Sequence, residues 1–452
     1  MTALLASTDR EPDSSPAAGT LPLLQSNFGW ALAGNVLFAA CQWGMLIALA
    51  RLGSPEVVGQ FSLGLAIATP IITLANLQLR SVQATDAANR YSFTDYFRLR
   101  GKTTVLAVLA VVVITAAAGW RASTALVVLF VALAKAVESF SDVHYGLFQN
   151  REQLETVAKS MALRGTLGVS ALAAGLYFTG QAACAVAALV LAWGLVLLRF
   201  DIRRGGGILT TSTHAGSVRA RNAAARWISF HRPFLGPTEL NLARTAFPLG
   251  IVTALTSLQL NMPRYFVQWK SGVAILGIFS AIAYLGTLLT VFIDSLGLAV
   301  APRLAKLFHA GELRAFMGLV MRLVALGITA GLAGIAVAAG AGGFVLRVAY
   351  GAEYSGYRDI FVWLMTAAGI GCVGTLLCCA LTAGGFFRQQ VPLYAVVVAT
   401  AAIGCAALTR PYGARGAAMA MVLAAGVHVV LSSILLARML SLRGQAARSV
   451  IL

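Results

Sequence analysis

Long apolar stretches alternate with short polar connections along the 452 residues of the chain. A bilayer-spanning helix needs roughly 20 mostly apolar residues. The pattern predicts twelve spans, near 28–50, 57–79, 103–119, 122–146, 160–179, 182–200, 245–264, 272–296, 318–346, 360–385, 391–409 and 414–437. Apolar residues occupy every face of these segments, as lipid-facing helices require. A transmembrane barrel would instead show alternating segments of about ten residues. The predicted fold is therefore all-α and membrane-embedded. Residues 1–26 carry Asp9, Arg10, Glu11 and Asp13, with Pro12, Pro16 and Pro22 and no apolar core. They read as a disordered cytoplasmic tail rather than a signal peptide. The longest polar interruption, 201–240, divides the spans six and six. Two predicted bundles result, 27–200 and 241–440, with a second tail at 441–452.

Composition supports the same class. The chain is 59% hydrophobic and 11% charged, with a mean hydropathy of +0.81, too little polar surface for a water-soluble globule of this size. The net charge of +18 raises the question of nucleic acid, but membrane orientation accounts for it. With both termini cytoplasmic, 25 of the 34 Lys and Arg fall on the inner side, eight on the outer side, and Lys135 lies within a span. That skew is the positive-inside pattern, and no nucleic-acid partner is expected. The linker mixes Arg219, Arg221, Arg226 and Arg232 with Trp227, Ile228 and Phe230. It reads either as a plain cytoplasmic connection or as an interfacial amphipathic helix on anionic membrane lipids. The six cysteines sit in or beside apolar stretches without metal-like spacing, so packing is their expected role.

A weak internal echo supports two repeats. Gly59-Gln60-Phe61-Ser62 opens the second span, and Gly277-Ile278-Phe279-Ser280 lies in the eighth, the second span of its half. Membrane transporters are often built from such repeats.

Charged residues within spans are the main candidates for function, since each costs roughly 2.5–3.5 kcal/mol on insertion scales. Lys135, Glu138 and Asp142 share the fourth span. At about 100° per residue they fall within a ~60° arc, close to Ser139. Either they form a salt bridge that only joins helices, or they line a central water-filled cavity. One Lys cannot neutralise two carboxylates, so one acid is left to titrate or to pair with an arginine elsewhere. Asp294, late in the eighth span, reads as a solvated helix end or as a gating or coupling carboxylate. Arg264, near the outer end of the seventh, reads as a snorkelling side chain or a substrate contact. His144, His231 and His309 share no ligand-like spacing, so no metal is assigned. No P-loop, GxSxG or HExxH occurs; neither an enzyme nor a cofactor is predicted.

Three further stretches carry a family resemblance. The first runs from Gly53-Ser54-Pro55-Glu56-Val57-Val58-Gly59-Gln60-Phe61-Ser62 to Pro70. The second is Asn76-Leu77-Gln78-Leu79-Arg80-Ser81-Val82-Gln83-Ala84-Thr85-Asp86, followed by Phe93-Thr94-Asp95-Tyr96 and Leu99-Arg100. The third is Tyr350-Gly351-Ala352-Glu353-Tyr354. Together they resemble the polysaccharide-biosynthesis flippases, the O-antigen-translocase-like branch of the multidrug/oligosaccharidyl-lipid/polysaccharide (MOP) exporter superfamily, from about residue 27 to 440. The first span lacks the internal acid of the drug-antiporter branch and the cationic residues that the lipid II flippase branch carries in its early spans.

The resemblance implies two six-helix bundles facing each other in a V in the bacterial plasma membrane. It implies alternating-access transport of a polyprenyl-diphosphate-linked oligosaccharide to the outer leaflet. Glycosyltransferases or a polymerase of the same pathway are the implied partners. Arg80, Lys135 and Arg264 are then candidates for the anionic head group, and Glu138, Asp142 and Asp294 for coupling or gating. Arg80 and Asp86 fit an inner-face structural network equally well. Two other readings stay open: a cation-coupled small-molecule exporter on this fold, and a non-transporting scaffold of a polysaccharide-synthesis complex.

Overall fold

The computed structural model describes residues 20–86, 90–211 and 236–449. Most of the predicted N-terminal tail, the aromatic–basic part of the linker and the last residues of the C-terminal tail lie outside them. The described residues form twelve α-helices: α1 (Thr20–Leu52), α2 (Pro55–Asn76), α3 (Leu79–Thr85), α4 (Phe93–Ala117), α5 (Ala122–Asn150), α6 (Leu154–Thr179), α7 (Ala182–Val196), α8 (Ile202–Thr211), α9 (Pro237–His309), α10 (Leu313–Tyr350), α11 (Arg358–Ala383) and α12 (Phe387–Ser449). Ten helical segments among them are long and apolar enough to cross a membrane.

The two longest helices each cross twice. Gly272 in α9 has φ 82°, ψ 178°, and Gly413 in α12 has φ 57°, ψ −137°. Both conformations suit a residue without a Cβ. The chain reverses at each point. Thr256 and Thr290 line one cavity from the two arms of α9, and a Cβ on Gly416 would fall 2.0 Å from the carbonyl oxygen of Leu408 on the other arm of α12. Eight helices crossing once and two crossing twice make the twelve predicted spans.

Two boundaries move, with consequences. The apolar pattern places the third span at 103–119, but α4 starts at Phe93, so Arg98, Arg100 and Lys102 are helical rather than loop residues. Its start is held by a capping box between Ser92 and Asp95, a local signal strong enough to begin a helix among polar residues. The pattern starts the fifth span at 160, but α6 starts at Leu154, which puts Arg164 almost three turns into the helix.

The surface is apolar where lipid belongs. Phe178, Leu191, Phe344 and Ile403 are exposed on span surfaces, while Arg100, Ser160 and Asp201 are fully buried. Water-soluble proteins show the reverse.

α2 packs along α9 and joins the two halves. Near the end that the charge pattern assigns to the outer face, the two echo motifs meet. A Cβ on Gly59 would lie 1.9 Å from the carbonyl oxygen of Val273, and a Cβ on Gly277 would lie 1.9 Å from that of Pro55. Each glycine thus rests on a carbonyl four residues before the other, a pseudo-twofold crossing that only small residues permit. The same end is tied by Arg51, which donates to the carbonyls of Arg347, Val348 and Ala349. Trp43 donates to the Tyr350 hydroxyl at 3.0 Å, which in turn donates to the Ala281 carbonyl at 2.8 Å. At the inner end, Leu242 and Ala246 of α9 join a cluster with Leu77, Leu79, Phe93 and Tyr96. Lys102 there pairs with Glu239 at 2.5 Å.

Candidate functional site

The polar stripe of α5 lines a cavity of about 500 Å³ in the N-terminal half. Lys135, Glu138, Asp142, Tyr145 and Gln149 recur every three or four residues and share one helix face with the adjacent Ser139, and all six reach the cavity wall. Phe38 of α1, Asn76 of α2 and Met161 and Arg164 of α6 complete much of the rest. The cavity runs from the inner end of the bundle, at Gln149, to mid-span at Lys135. It reaches the inner end through an unusual break in the chain: Leu77 and Gln78 both adopt left-handed backbone, φ 50° and 52°. Two consecutive non-glycine residues there are uncommon. The break ends α2 and directs α3 sideways, so that Arg80 and Ser81 face the cavity.

The stripe is both salt-bridged and cavity-facing. Lys135 donates to Glu138 at 2.5 Å. Arg164 reaches the other oxygen of Glu138 at 3.3 Å. Asp142 pairs with Arg80 at 3.5 Å and with Arg100 at 3.1 Å. Both carboxylates therefore have arginine partners from outside the stripe, which is how the charge imbalance of α5 is resolved. The wall carries three cations, Arg80, Lys135 and Arg164, against two carboxylates. Behind it lie Arg100 and Asp201, one of each sign and both fully buried. The net charge of the set is one positive.

Arg164 is the best-held of these groups. Its guanidinium lies 4.6 Å from the Phe38 ring centre, 5.3 Å from Trp193 and 5.5 Å from Tyr145. Trp193 donates to the Arg164 carbonyl at 3.1 Å. Tyr145 shares a hydrogen bond with Ser160 at 2.8 Å, and Ser160 donates to Asp201 at 2.6 Å. A π-helical turn, Leu197–Asp201, follows α7 and ends on that carboxylate. Such turns often occur at functional positions. Although buried, Arg164 has Nε and Nη1 without any partner in the protein.

The other predicted residues are distributed as follows. Arg80 is on the cavity wall, over the Tyr145 ring and donating to Gln149 at 3.3 Å. Asp86 is not; its carboxylate accepts from the backbone of Arg90 and Tyr91 and from the Tyr96 hydroxyl, closing the α3–α4 loop. Asp294 lines a separate cavity of about 350 Å³ in the C-terminal half, remote from the α5 stripe. Arg264 lines neither of these two cavities. It donates to Asn261 at 2.6 Å and interacts electrostatically with Tyr265 and Tyr284, whose hydroxyls reach Ala66 of α2 and Gln42 of α1. Sequence reasoning missed Arg100 and Arg164, both counted as loop charges. A signal was present for Arg164, because the predicted span 160–179 already contained it.

No family model matches the chain. Its sequence is 24% identical over 404 residues to the capsular polysaccharide biosynthesis protein CapF of Staphylococcus aureus, covering 89% of this chain and 97% of that protein. Among solved structures, the inward-facing conformation of a multidrug resistance MATE family transporter of the MOP superfamily superposes with a TM-score of 0.67 at 15% identity, covering 91% of this chain and 96% of the other. Its outward-facing counterpart gives 0.60 at 12% identity, covering 94% and 96%. A MOP superfamily transporter from Pyrococcus furiosus, described as having a binding pocket of reversed polarity, gives 0.59 at 13% identity, covering 94% and 99%. The chain is a multi-pass membrane protein with the fold of the MATE transporters of the MOP superfamily, and it is similar in sequence to a capsular polysaccharide biosynthesis protein.

Proposed function

We propose that this protein moves a polyprenyl-diphosphate-linked oligosaccharide from the inner to the outer leaflet, for assembly into a surface or exported polysaccharide. The observation that carries the reading is the cavity of the N-terminal half, whose wall sets three cations, Arg80, Lys135 and Arg164, against two carboxylates. An arginine fork matches the spacing of phosphate oxygens and gives charge-assisted hydrogen bonds. Lys135 and Arg80 stand on the same wall and supply further positive charge. A diphosphate with its sugars cannot cross hydrocarbon unaided, because each unpaired polar group is costly there. The polyprenyl tail stays in the lipid.

The sequence similarity to a capsular polysaccharide biosynthesis protein supports the same reading. So does the arrangement of the halves, joined at the outer end by the Gly59–Gly277 crossing, with the cationic cavity reaching the inner end. Alternating access then consists of opening the outer crossing while the inner end closes. The inside-negative potential aids outward movement of an anion by about 2.3 kcal/mol per charge per 100 mV. Glycosyltransferases would build the substrate on the inner side, and a polymerase would consume it outside.

A second reading, a cation-coupled small-molecule exporter, is favoured by the MATE structural neighbours and by Asp294, whose cavity is lined by no Lys or Arg. One experiment separates the two. In a strain lacking the protein, surface polymer and drug sensitivity are measured together, with complementation by wild type and by Arg164→Ala. The flippase reading expects loss of polymer, restored by wild type and not by Arg164→Ala at equal protein level. Unchanged polymer with raised drug sensitivity overturns it in favour of the exporter.

A further inference from the structure

The C-terminal half holds a cavity that the diphosphate does not need. It measures about 350 Å³, within the range of small-molecule sites, roughly 300–1,000 Å³. It is enclosed by both arms of α9, by α11 and by both arms of α12. Its chemistry differs from that of the N-terminal cavity. No Lys or Arg lines it, and its one formal charge is the Asp294 carboxylate. An anionic head group would gain nothing there and would be repelled by Asp294.

The remaining polar groups suit neutral hydroxyls. Thr256 donates to Val252 at 3.0 Å, Thr287 to Ala283 at 3.4 Å and Thr290 to Thr287 at 2.9 Å, all along the α9 backbone. With each donor spent on a helix carbonyl, the oxygen keeps lone pairs free to accept. Gln259 adds an amide on the wall, able both to donate and to accept, and Asp294 adds a strong acceptor. Tyr394 contributes an aromatic ring beside them. Alanine and glycine make up much of the remaining lining, leaving apolar ground for the C–H faces of a ring. Acceptors for hydroxyl protons together with flat apolar surface are what a sugar demands.

We propose that this cavity is a glycan subsite, so that the two halves divide the substrate: the diphosphate on the cationic wall of α5 and α6, the sugars against α9, α11 and α12. The assignment rests on the proposed function and adds an orientation to it. Asp294 enforces that orientation by excluding the diphosphate from the C-terminal half.

The test uses the full chain in lipid nanodiscs and two probes. One is a bare polyprenyl diphosphate. The other is the polyprenyl-diphosphate oligosaccharide extracted from cells lacking the protein. Affinities are measured for wild type, for the double variant Gln259→Leu/Thr290→Val and for Arg164→Ala, with thermal melting to show that each is folded. Wild type is expected to bind the glycosylated lipid at least tenfold more tightly than the bare one. The double variant should lose that preference while binding the bare lipid as wild type does. Arg164→Ala should weaken both probes. Equal wild-type affinity for the two probes, or a double variant that keeps the preference, overturns the glycan subsite and leaves the flippase reading standing. Failure of wild type to bind either lipid overturns the flippase reading, and the subsite with it. Should Gln259→Leu/Thr290→Val not fold, Asp294→Lys replaces it. That variant should bring the bare lipid to the affinity of the glycosylated one, and an unchanged difference overturns the proposal.

Discussion

Replacing Gly277 by alanine adds one methyl group at the point where the two halves cross. The added Cβ would sit 1.9 Å from the Pro55 carbonyl oxygen and 2.7 Å from the Gly59 nitrogen. Both are backbone atoms, so no rotamer change relieves the contact. To reach even a tight separation, α2 and the second arm of α9 must part by on the order of 1 Å. Overpacking of this kind costs about 1–3 kcal/mol. The cost falls on the state in which the crossing is closed. If that crossing is the outer seal, the population with an open outer end rises by about 5- to 150-fold. The reporter is Ser280→Cys, a conservative change one turn further along the same helix, where Ser280 is buried. It is made in a Cys184→Ser background, since Cys184 is exposed. A membrane-impermeant maleimide added outside should label the introduced thiol slowly in the parent and faster by that factor in Gly277→Ala. Gly59→Ala should act the same way, because its Cβ meets the Val273 carbonyl at the same distance. Equal labelling in folded parent and variant would refute the assignment of this crossing as the seal.

Three further outcomes follow from the geometry. Arg100→Met removes one charge-assisted hydrogen bond but leaves Asp142 paired with Arg80 on the cavity wall, so it should lower stability by about 1.5–3 kcal/mol, and melting in detergent measures this. Arg164→Lys should fail to restore diphosphate affinity lost in Arg164→Ala, because a lysine offers neither the planar fork nor the stacking on Phe38 and Trp193; a titration with bare polyprenyl diphosphate decides it. Gly413→Ala should cost about 1–3 kcal/mol, since φ 57° with ψ −137° strains any residue with a Cβ; the loss should appear in chemical unfolding, with transport by the surviving folded protein retained.

The stripe on α5 was legible because its three charges are local: their spacing alone puts them on one face, and their cost in hydrocarbon marks them out. Arg80 was legible as a member of the family-like motif, yet nothing in that motif distinguished it from Asp86. The distinction depends on the backbone break at Leu77 and Gln78, which sends one side chain to the cavity and the other to a loop. Arg100 and Arg164 resemble the many other arginines of the inner side, and a charge count cannot tell a loop arginine from a buried one. The C-terminal cavity was hidden for a different reason. Its lining is drawn from α9, α11 and α12, and scattered threonines and alanines in apolar segments carry no pattern.

The sequence by itself determined the membrane class, the number of crossings, the uneven distribution of charge and the existence of a costly polar stripe. Each is a property of one segment at a time, imposed by the bilayer on whatever crosses it. Only the tertiary structure decided that two buried arginines complete that stripe, that the twin Gly-x-Phe-Ser motifs meet at one crossing, and that each half encloses a cavity of its own character. Those outcomes depend on which helices become neighbours and how closely they approach. Small residues allow such contacts, but packing of the whole bundle selects among them.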